Sequence, residues 1–233
     1  MRTVLLANNR LGHRVARFLT DRGDLVGLVL HPEERRTAAA ELEAIGGPTW
    51  TWPDGLDDVR ALAPDCMLSV LFGFIVPDEW LAVPSWAAVN LHPAFLPWNR
   101  GSAPNVWPLV DGSPAGTTLH VMTAGLDRGP VLVQRRVDVR ADDTAESLYR
   151  RLEDASFEML TTEWEGLRSV QPRPQEGEGS YHRLSDLEGL DLRSDADLAV
   201  LDRLRARTYP PHGAEFERDG RTYRVRVEIE PLP

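Results

Sequence analysis

The sequence predicts an α/β fold: a Rossmann-like, doubly wound, mostly parallel sheet with a short C-terminal helix and β-hairpin appendage. Three observations predict it. Short, continuous apolar runs (Thr3–Ala7, Leu25–Leu30, Cys66–Phe72) alternate with helix-like segments through the first half. Strands that are apolar on both sides belong to a sheet covered on both faces, and helices between them imply parallel crossover connections. A Pro- and Gly-rich stretch, Gln171–Gly179, then precedes a tail that contains Asp219-Gly220, a strong hairpin turn signal.

The elements follow in order. Leu11–Arg22 carries Leu11, Val15, Phe18 and Leu19 at helical spacing. Glu33–Ile45 reads as one helix closed by Gly46-Gly47-Pro48, and Leu56–Leu62 as another. Ala87–His92 is a strand, and the Pro and Gly content of His92–Asn105 makes that segment a loop. A short helix is expected over Asn105–Val110. Thr117–Met122 and Val131–Val139 flank the turn-rich Thr123–Pro130 and read as a hairpin with a long loop. Asp142–Leu167 reads as one long helix capped by Asp142 or Asp143, with Leu148, Leu152, Ala155, Met159 and Leu160 as its apolar stripe. Beyond the linker, Ala196–Arg207 is helix-like, and Ala214–Arg218 pairs with Thr222–Ile229. The expected organisation is a main domain over 1–170, a linker over 171–179, and a small unit over 180–233 packed on the main body.

Composition excludes several classes. A net charge of -10 with scattered Arg gives no basic footprint for nucleic acid. No apolar run approaches the ~20 residues of a membrane span, and the N-terminal apolar run is too short for a signal peptide. Cys66 is the single cysteine and sits among apolar residues; it reads as a buried thiol in a reducing cytoplasm. No Cys or His cluster has metal-ligand spacing, so no metal is expected.

The most informative stretch is Val89-Asn90-Leu91-His92-Pro93. Strand residues two apart share a face, so Asn90 and His92 project together while Leu91 enters the opposite side. They lie at the carboxyl end of a strand, where open α/β sheets bind ligands. An amide beside an imidazole suits a reaction that builds charge on a carbonyl oxygen and moves a proton; a strand-end His bonded to backbone, with Asn90 capping a loop, fits those two residues as well. Asp127, bracketed by Gly125 and Gly129, can orient an imidazole, or be an ordinary turn residue. His120 reads as a structural strand histidine.

Together these stretches resemble the folate-dependent formyltransferase family: an Asn-x-His-Pro strand end, then Leu96-Pro97 and Arg100-Gly101, and Leu126-Asp127-Arg128-Gly129, with Asp127 lying 35 residues after His92. The likeness is close over roughly residues 65–140. It implies Asn90, His92 and Asp127 as catalytic residues and 10-formyltetrahydrofolate as the formyl donor, bound along Phe72–Pro77 with Phe74, Ile75, Val76 and Leu126 as contacts. An apolar strand end with Gly73 and Pro77 can offer free backbone groups to a flat heterocycle.

Departures from the pattern narrow the acceptor. Asn8-Asn9-Arg10-Leu11-Gly12 lacks the Gly/Ser-rich phosphate loop of glycinamide ribonucleotide formyltransferases. Residues 180–233 are too short and too weakly basic for the C-terminal domain of methionyl-tRNA formyltransferases. Trp98–Pro108, Tyr181–Asp191 and Tyr209–Ala214 are similar to small sugar N-formyltransferases. That similarity implies a nucleotide-linked amino-deoxy sugar as acceptor, with Arg10, Arg100 and Asn105 at its site; the guanidinium groups would meet a diphosphate. Formylation of an ornithine- or hydroxylamine-type amine, or hydrolysis of the formyl donor, are the alternatives. A homodimer fits the family, but the sequence leaves the oligomeric state open.

Overall fold

The computed structural model describes residues 1–208 and 213–230; Tyr209–His212, part of the tail similarity above, lie outside them. The chain divides into two compact units, Met1–Val139 with Thr144–His182, and Arg140–Asp143 with Arg183–Pro233.

The first unit is built on a seven-stranded sheet. Its elements run β1 (Thr3–Ala7), α1 (Arg10–Asp21), β2 (Leu25–Leu30), α2 (Ala39–Glu43), β3 (Thr49–Thr51), α3 (Leu56–Ala61), β4 (Cys66–Val70), α4 (Asp78–Leu81) and β5 (Ala87–His92). After these come β6 (Arg100–Gly101), α5 (Trp107–Asp111), β7 (Gly116–Val121), β8 (Val131–Arg136), α6 (Ala145–Glu163) and β9 (Tyr181–His182). The strand order is β3-β2-β1-β4-β5-β7-β8. The first five strands are parallel, and β7 and β8 close the sheet antiparallel. This is the doubly wound, mostly parallel sheet that the alternating apolar runs predict.

Strand alternation assigns the two cores. Leu5, Leu28, Leu68, Val89, Leu91 and Leu119 face one side, packing with Leu11, Val15 and Leu19 of α1 and Met159 and Leu160 of α6. Val4, Leu6, Val29, Met67 and Ala88 face the other, against Trp52, Val59 of α3, Phe72, Val76 and Trp80 of α4. Cys66 is free and buried, and burial raises its thiol far above the ordinary range.

Besides adding β3, α4, β6 and β9, the structure departs from the expected elements in three places. Glu33–Ile45 is not one helix: a single 3-10 turn (Glu33–Arg35) and the short α2 replace it. Asn8 takes the intervening backbone, accepting from Thr37 N–H at its side-chain oxygen and from Ala38 N–H at its carbonyl, and these bonds compete with helix propagation. The long helix α6 begins at Ala145 because Thr144, not Asp142 or Asp143, forms a capping box with Ser147. Finally, Gln171–Gly179 is not a free linker. Arg173 exchanges two backbone hydrogen bonds with Val131, and residues through His182 belong to the first unit.

The second unit contains a 3-10 segment (Leu184–Leu190), α7 (Asp195–Arg207) and a hairpin, β10 (Ala214–Arg218) with β11 (Arg221–Val225), turning at Asp219-Gly220 as expected. Ser194 caps α7 in a capping box with Asp197. Phe216 stacks on Tyr223 across the two strands.

Candidate active site

The site forms where the sheet changes from parallel to antiparallel, at the carboxyl end of β5. Asn90 and His92 share a face, and Leu91 is buried in the opposite core. Pairing with β7 sets Asn90 opposite His120 and His92 opposite Thr118, and directly paired residues project to the same side. His120 therefore joins Asn90 and His92 on one face. Sequence reasoning missed it, because the pairing of β5 with β7 is a tertiary fact.

Asp127 reaches this cluster from the β7–β8 loop. Its backbone is left-handed (φ 51°), a conformation that Asp adopts more readily than most residues. Three hydrogen bonds hold it and its loop. Gly101 N–H donates to Oδ2 at 2.9 Å, while Gln175 Nε2 donates to the main-chain carbonyls of Asp127 at 2.7 Å and Gly129 at 2.9 Å. Gly101 has φ 86°, and a Cβ there would lie 2.3 Å from the His182 carbonyl oxygen. Only glycine allows that N–H to meet the carboxylate.

The carboxylate lies 3.7 Å from His92 Nε2 through Oδ2, and 3.6 Å from His120 Nε2 through Oδ1. Asn90 Nδ2 stands 3.3 Å from Asp127 Oδ1 and 3.2 Å from His120 Nε2. His92 Nε2 also faces the Asn99 carbonyl at 3.2 Å. The Asn99 carbonyl at hydrogen-bond distance, with the Asp127 charge nearby, draws the hydrogen of the neutral ring to Nε2 and leaves a lone pair on Nδ1. Burial holds the His92 pKa below its ordinary value, with the Asp127 charge offsetting part of the effect. Burial alone would lift the Asp127 pKa; the facing His92, the neighbouring His120 and the hydrogen bond from Gly101 N–H instead hold it below the usual carboxylate range. The result is a neutral imidazole against an ionised carboxylate, with Asp127 7% exposed.

The other expected contacts divide. Phe72–Pro77 follows β4, and residues 71–77 belong to no strand or helix, leaving their backbone outside any ladder. Phe74 packs on Trp52 and His31, Val76 is buried, and Ile75 and Leu126 are exposed at 75% and 43%. An irregular loop presenting apolar side chains and unladdered backbone fits a flat heterocycle. Arg10 opens α1 with its side chain 66% exposed, 4.0 Å from Glu153. Arg100, expected at the acceptor phosphate, is bonded inward. Its guanidinium is buried, donating to Gln175 Oε1 and the Glu178 carbonyl, and so braces the segment that holds Asp127. Asn105 donates to the Ala145 carbonyl at 2.9 Å, a bond to the start of α6. Trp107 stacks on His182 at 3.9 Å, a packing role. Among the described residues no group of His, Cys, Asp and Glu is placed to hold a metal, and no helix is long and apolar enough to cross a membrane.

Fold and site together define the class: an α/β protein whose sheet edge carries an acid–base cluster suited to carbonyl chemistry. The family follows from comparison. Residues 35–163 match the formyl transferase family model, and the chain belongs to that family. Residues 185–231 match a second model, the N-formyltransferase dimerization C-terminal domain. The methionyl-tRNA formyltransferase of Francisella philomiragia is 33% identical over 175 residues, covering 74% of this chain and 56% of that protein. The chain thus spans about half the length of the curated relatives it matches.

Two solved structures place the likeness further. The formyltransferase PseJ from Anoxybacillus kamchatkensis, in complex with UDP-4,6-dideoxy-4-formamido-L-AltNAc and tetrahydrofolate, is 32% identical with a TM-score of 0.56, over 72% of this chain and 92% of that one. A sugar N-formyltransferase from Shewanella shares the fold over 100% of this chain and 99% of its own, with a TM-score of 0.71 at 20% identity.

Proposed function

We propose that this protein transfers a formyl group from 10-formyltetrahydrofolate to a primary amine, the amino group of a nucleotide-linked amino-deoxy sugar. The observation that carries the reading is the convergence of Asn90, at 3.3 Å, and His92, at 3.7 Å, on the Asp127 carboxylate at the sheet edge. The folate supplies the activated formyl group. Around it, Ile75 and Leu126 offer apolar cover and the 71–77 backbone offers donors and acceptors.

The chain's own groups account for the remaining steps. Asn90 N–H polarises the formyl oxygen as the amine nitrogen bonds to the formyl carbon, and the His92 ring joins it once its Nδ1 has taken a proton. The proton leaving the amine is taken by the His92–Asp127 pair, directly or through water. It passes to the folate nitrogen as that nitrogen's bond to the formyl carbon breaks. Asp127 keeps the ring oriented and stabilises its protonated form, as the acid of a hydrolytic triad does.

Two facts support an amino-sugar acceptor. PseJ, bound to a formamido sugar nucleotide, is 32% identical and matches over 92% of its length. Arg10, exposed at the start of α1, is the group we assign to an acceptor phosphate. The second model's match at 185–231 supports a homodimer.

The test is direct. Purified protein is given 10-formyltetrahydrofolate with no acceptor, then with nucleotide-linked 4-amino-4,6-dideoxy sugars, ornithine, a hydroxylamine and methionyl-tRNA. Acceptor-dependent formation of a formamido sugar is expected. Folate turnover without acceptor would make the protein a hydrolase, and formylation of another amine would replace the sugar.

A further inference from the structure

Asn90 and Asp127 leave one neighbour of the site without a role: His120, 2% exposed, facing both of them from β7. Its tautomer follows from its partners. Nδ1 lies 3.0 Å from the Val121 carbonyl, a normal hydrogen bond, whereas Nε2 lies 3.6 Å from Asp127 Oδ1, beyond hydrogen-bond range. The neutral ring therefore carries its hydrogen on Nδ1 and a lone pair on Nε2. That lone pair meets Asn90 Nδ2 at 3.2 Å.

Three distances define the geometry. Asn90 Nδ2 is 3.2 Å from His120 Nε2 and 3.3 Å from Asp127 Oδ1, and those two acceptors are 3.6 Å apart. By the law of cosines they subtend about 67° at the amide nitrogen. The two hydrogens of a planar amide diverge by about 120°, so they cannot both point well at acceptors this close together. One hydrogen shared between the acceptors in a three-centre bond satisfies both, and the second is then directed away from them.

We propose that His120 is a positioning residue for formyl transfer: its Nε2 lone pair and the Asp127 carboxylate together hold one amide hydrogen of Asn90 and so aim the other at the formyl oxygen. The idea rests on the reading that Asn90 polarises that oxygen. Without the lone pair, the amide turns its N–H squarely onto Asp127 and the second hydrogen swings off its target. With the hydrogen moved to Nε2, an N–H would face an N–H and the amide would turn over. The register that pairs Asn90 with His120 across β5 and β7 puts the lone pair in place.

Two measurements test this, the first independent of turnover. In 15N-labelled protein, long-range ring spectra should show His120 in the Nδ1-protonated form at neutral pH; the Nε2-protonated form would overturn the proposal. Second, His120→Phe keeps the ring but removes the acceptor, while His120→Gln restores an acceptor near Nε2. With 10-formyltetrahydrofolate and an amino-sugar nucleotide, His120→Phe should lower kcat about tenfold, KM for both substrates should stay within about twofold, and His120→Gln should recover to within about threefold of the parent. Parental turnover in His120→Phe, or equal loss in both variants with folding intact, would refute the role. If the parent itself transfers no formyl group, the functional reading fails, yet the ring spectrum still decides the tautomer.

Discussion

Gln175 holds Asp127 by its backbone: the Gln175 side-chain amide donates to the Asp127 carbonyl at 2.7 Å and, through the same nitrogen, to the Gly129 carbonyl at 2.9 Å. A residue in a segment with linker composition thus fixes the loop that carries the carboxylate. Gln175→Leu keeps bulk but removes both bonds, each worth about 0.5–1.5 kcal/mol net, and also takes the Oε1 acceptor from the buried Arg100 guanidinium, a stronger loss because the donor is charged. The variant should unfold at least about 3 kcal/mol more easily in urea and lose turnover through misplacement of Asp127. Unchanged kcat would show that the loop holds itself.

Gly101 is a second strut. Its left-handed φ costs a non-glycine residue about 1–2 kcal/mol, and a Cβ would meet the His182 carbonyl oxygen at 2.3 Å. Gly101→Ala should therefore move the N–H away from Asp127 Oδ2, lowering both Tm and kcat. A variant with parental Tm and parental rate would show that this approach is dispensable.

Asn90→Ala removes the hydrogen-bond donor to the formyl oxygen. One such donor contributes about 3 kcal/mol to a carbonyl addition, so turnover should fall on the order of a hundredfold while the circular dichroism spectrum stays parental. Asn90 is half-buried at the sheet edge rather than in either core, so the fold has little reason to fail.

The pH dependence follows from two depressed pKa values. Burial keeps the His92 pKa below its ordinary ~6.5, so the acidic limb of kcat/KM for the formyl donor, at saturating acceptor, should have its midpoint below 6.5. Stability runs in the same direction, because folded His92 and Asp127 bind fewer protons than their unfolded counterparts. The His92 contribution is fully present above ~6.5 and is lost as pH falls through its lower folded value. That of Asp127 is fully present above ~3.9 and is lost further down. Urea titrations of the parent and Asp127→Asn should converge as the pH is lowered; curves that stay a constant distance apart would contradict the assignment.

Much of this arrangement was legible in the sequence, for reasons that separate local from tertiary information. Alternation at Asn90, Leu91 and His92 needs only the period of a strand, and the parallel sheet needs only apolar runs between helices. Asp127 was visible through its flanking glycines. His120 was not, because nothing local specifies that β5 pairs with β7 in the register opposing it to Asn90. Glu33–Ile45 has helical composition, but Asn8, 25 residues upstream, captures Thr37 and Ala38 and divides it. Gln171–Gly179 has the polar, Pro- and Gly-rich character of a tether. Its role appears only once Arg173 meets Val131 and Gln175 meets Asp127. Arg100 looked like a free cation because its acceptor, Gln175, lies 75 residues away.

The most direct test of the central claim follows the formyl carbon. Protein is mixed with 10-formyltetrahydrofolate labelled in the formyl group and with a nucleotide-linked 4-amino-4,6-dideoxy sugar, and the label is traced in the parent and in Asp127→Asn. The account predicts label in a formamido sugar with the parent, and a rate at least about a hundredfold lower for Asp127→Asn, which keeps the shape of the side chain but removes its charge. Label absent from the sugar with the parent, or equal rates in the two proteins, would contradict it.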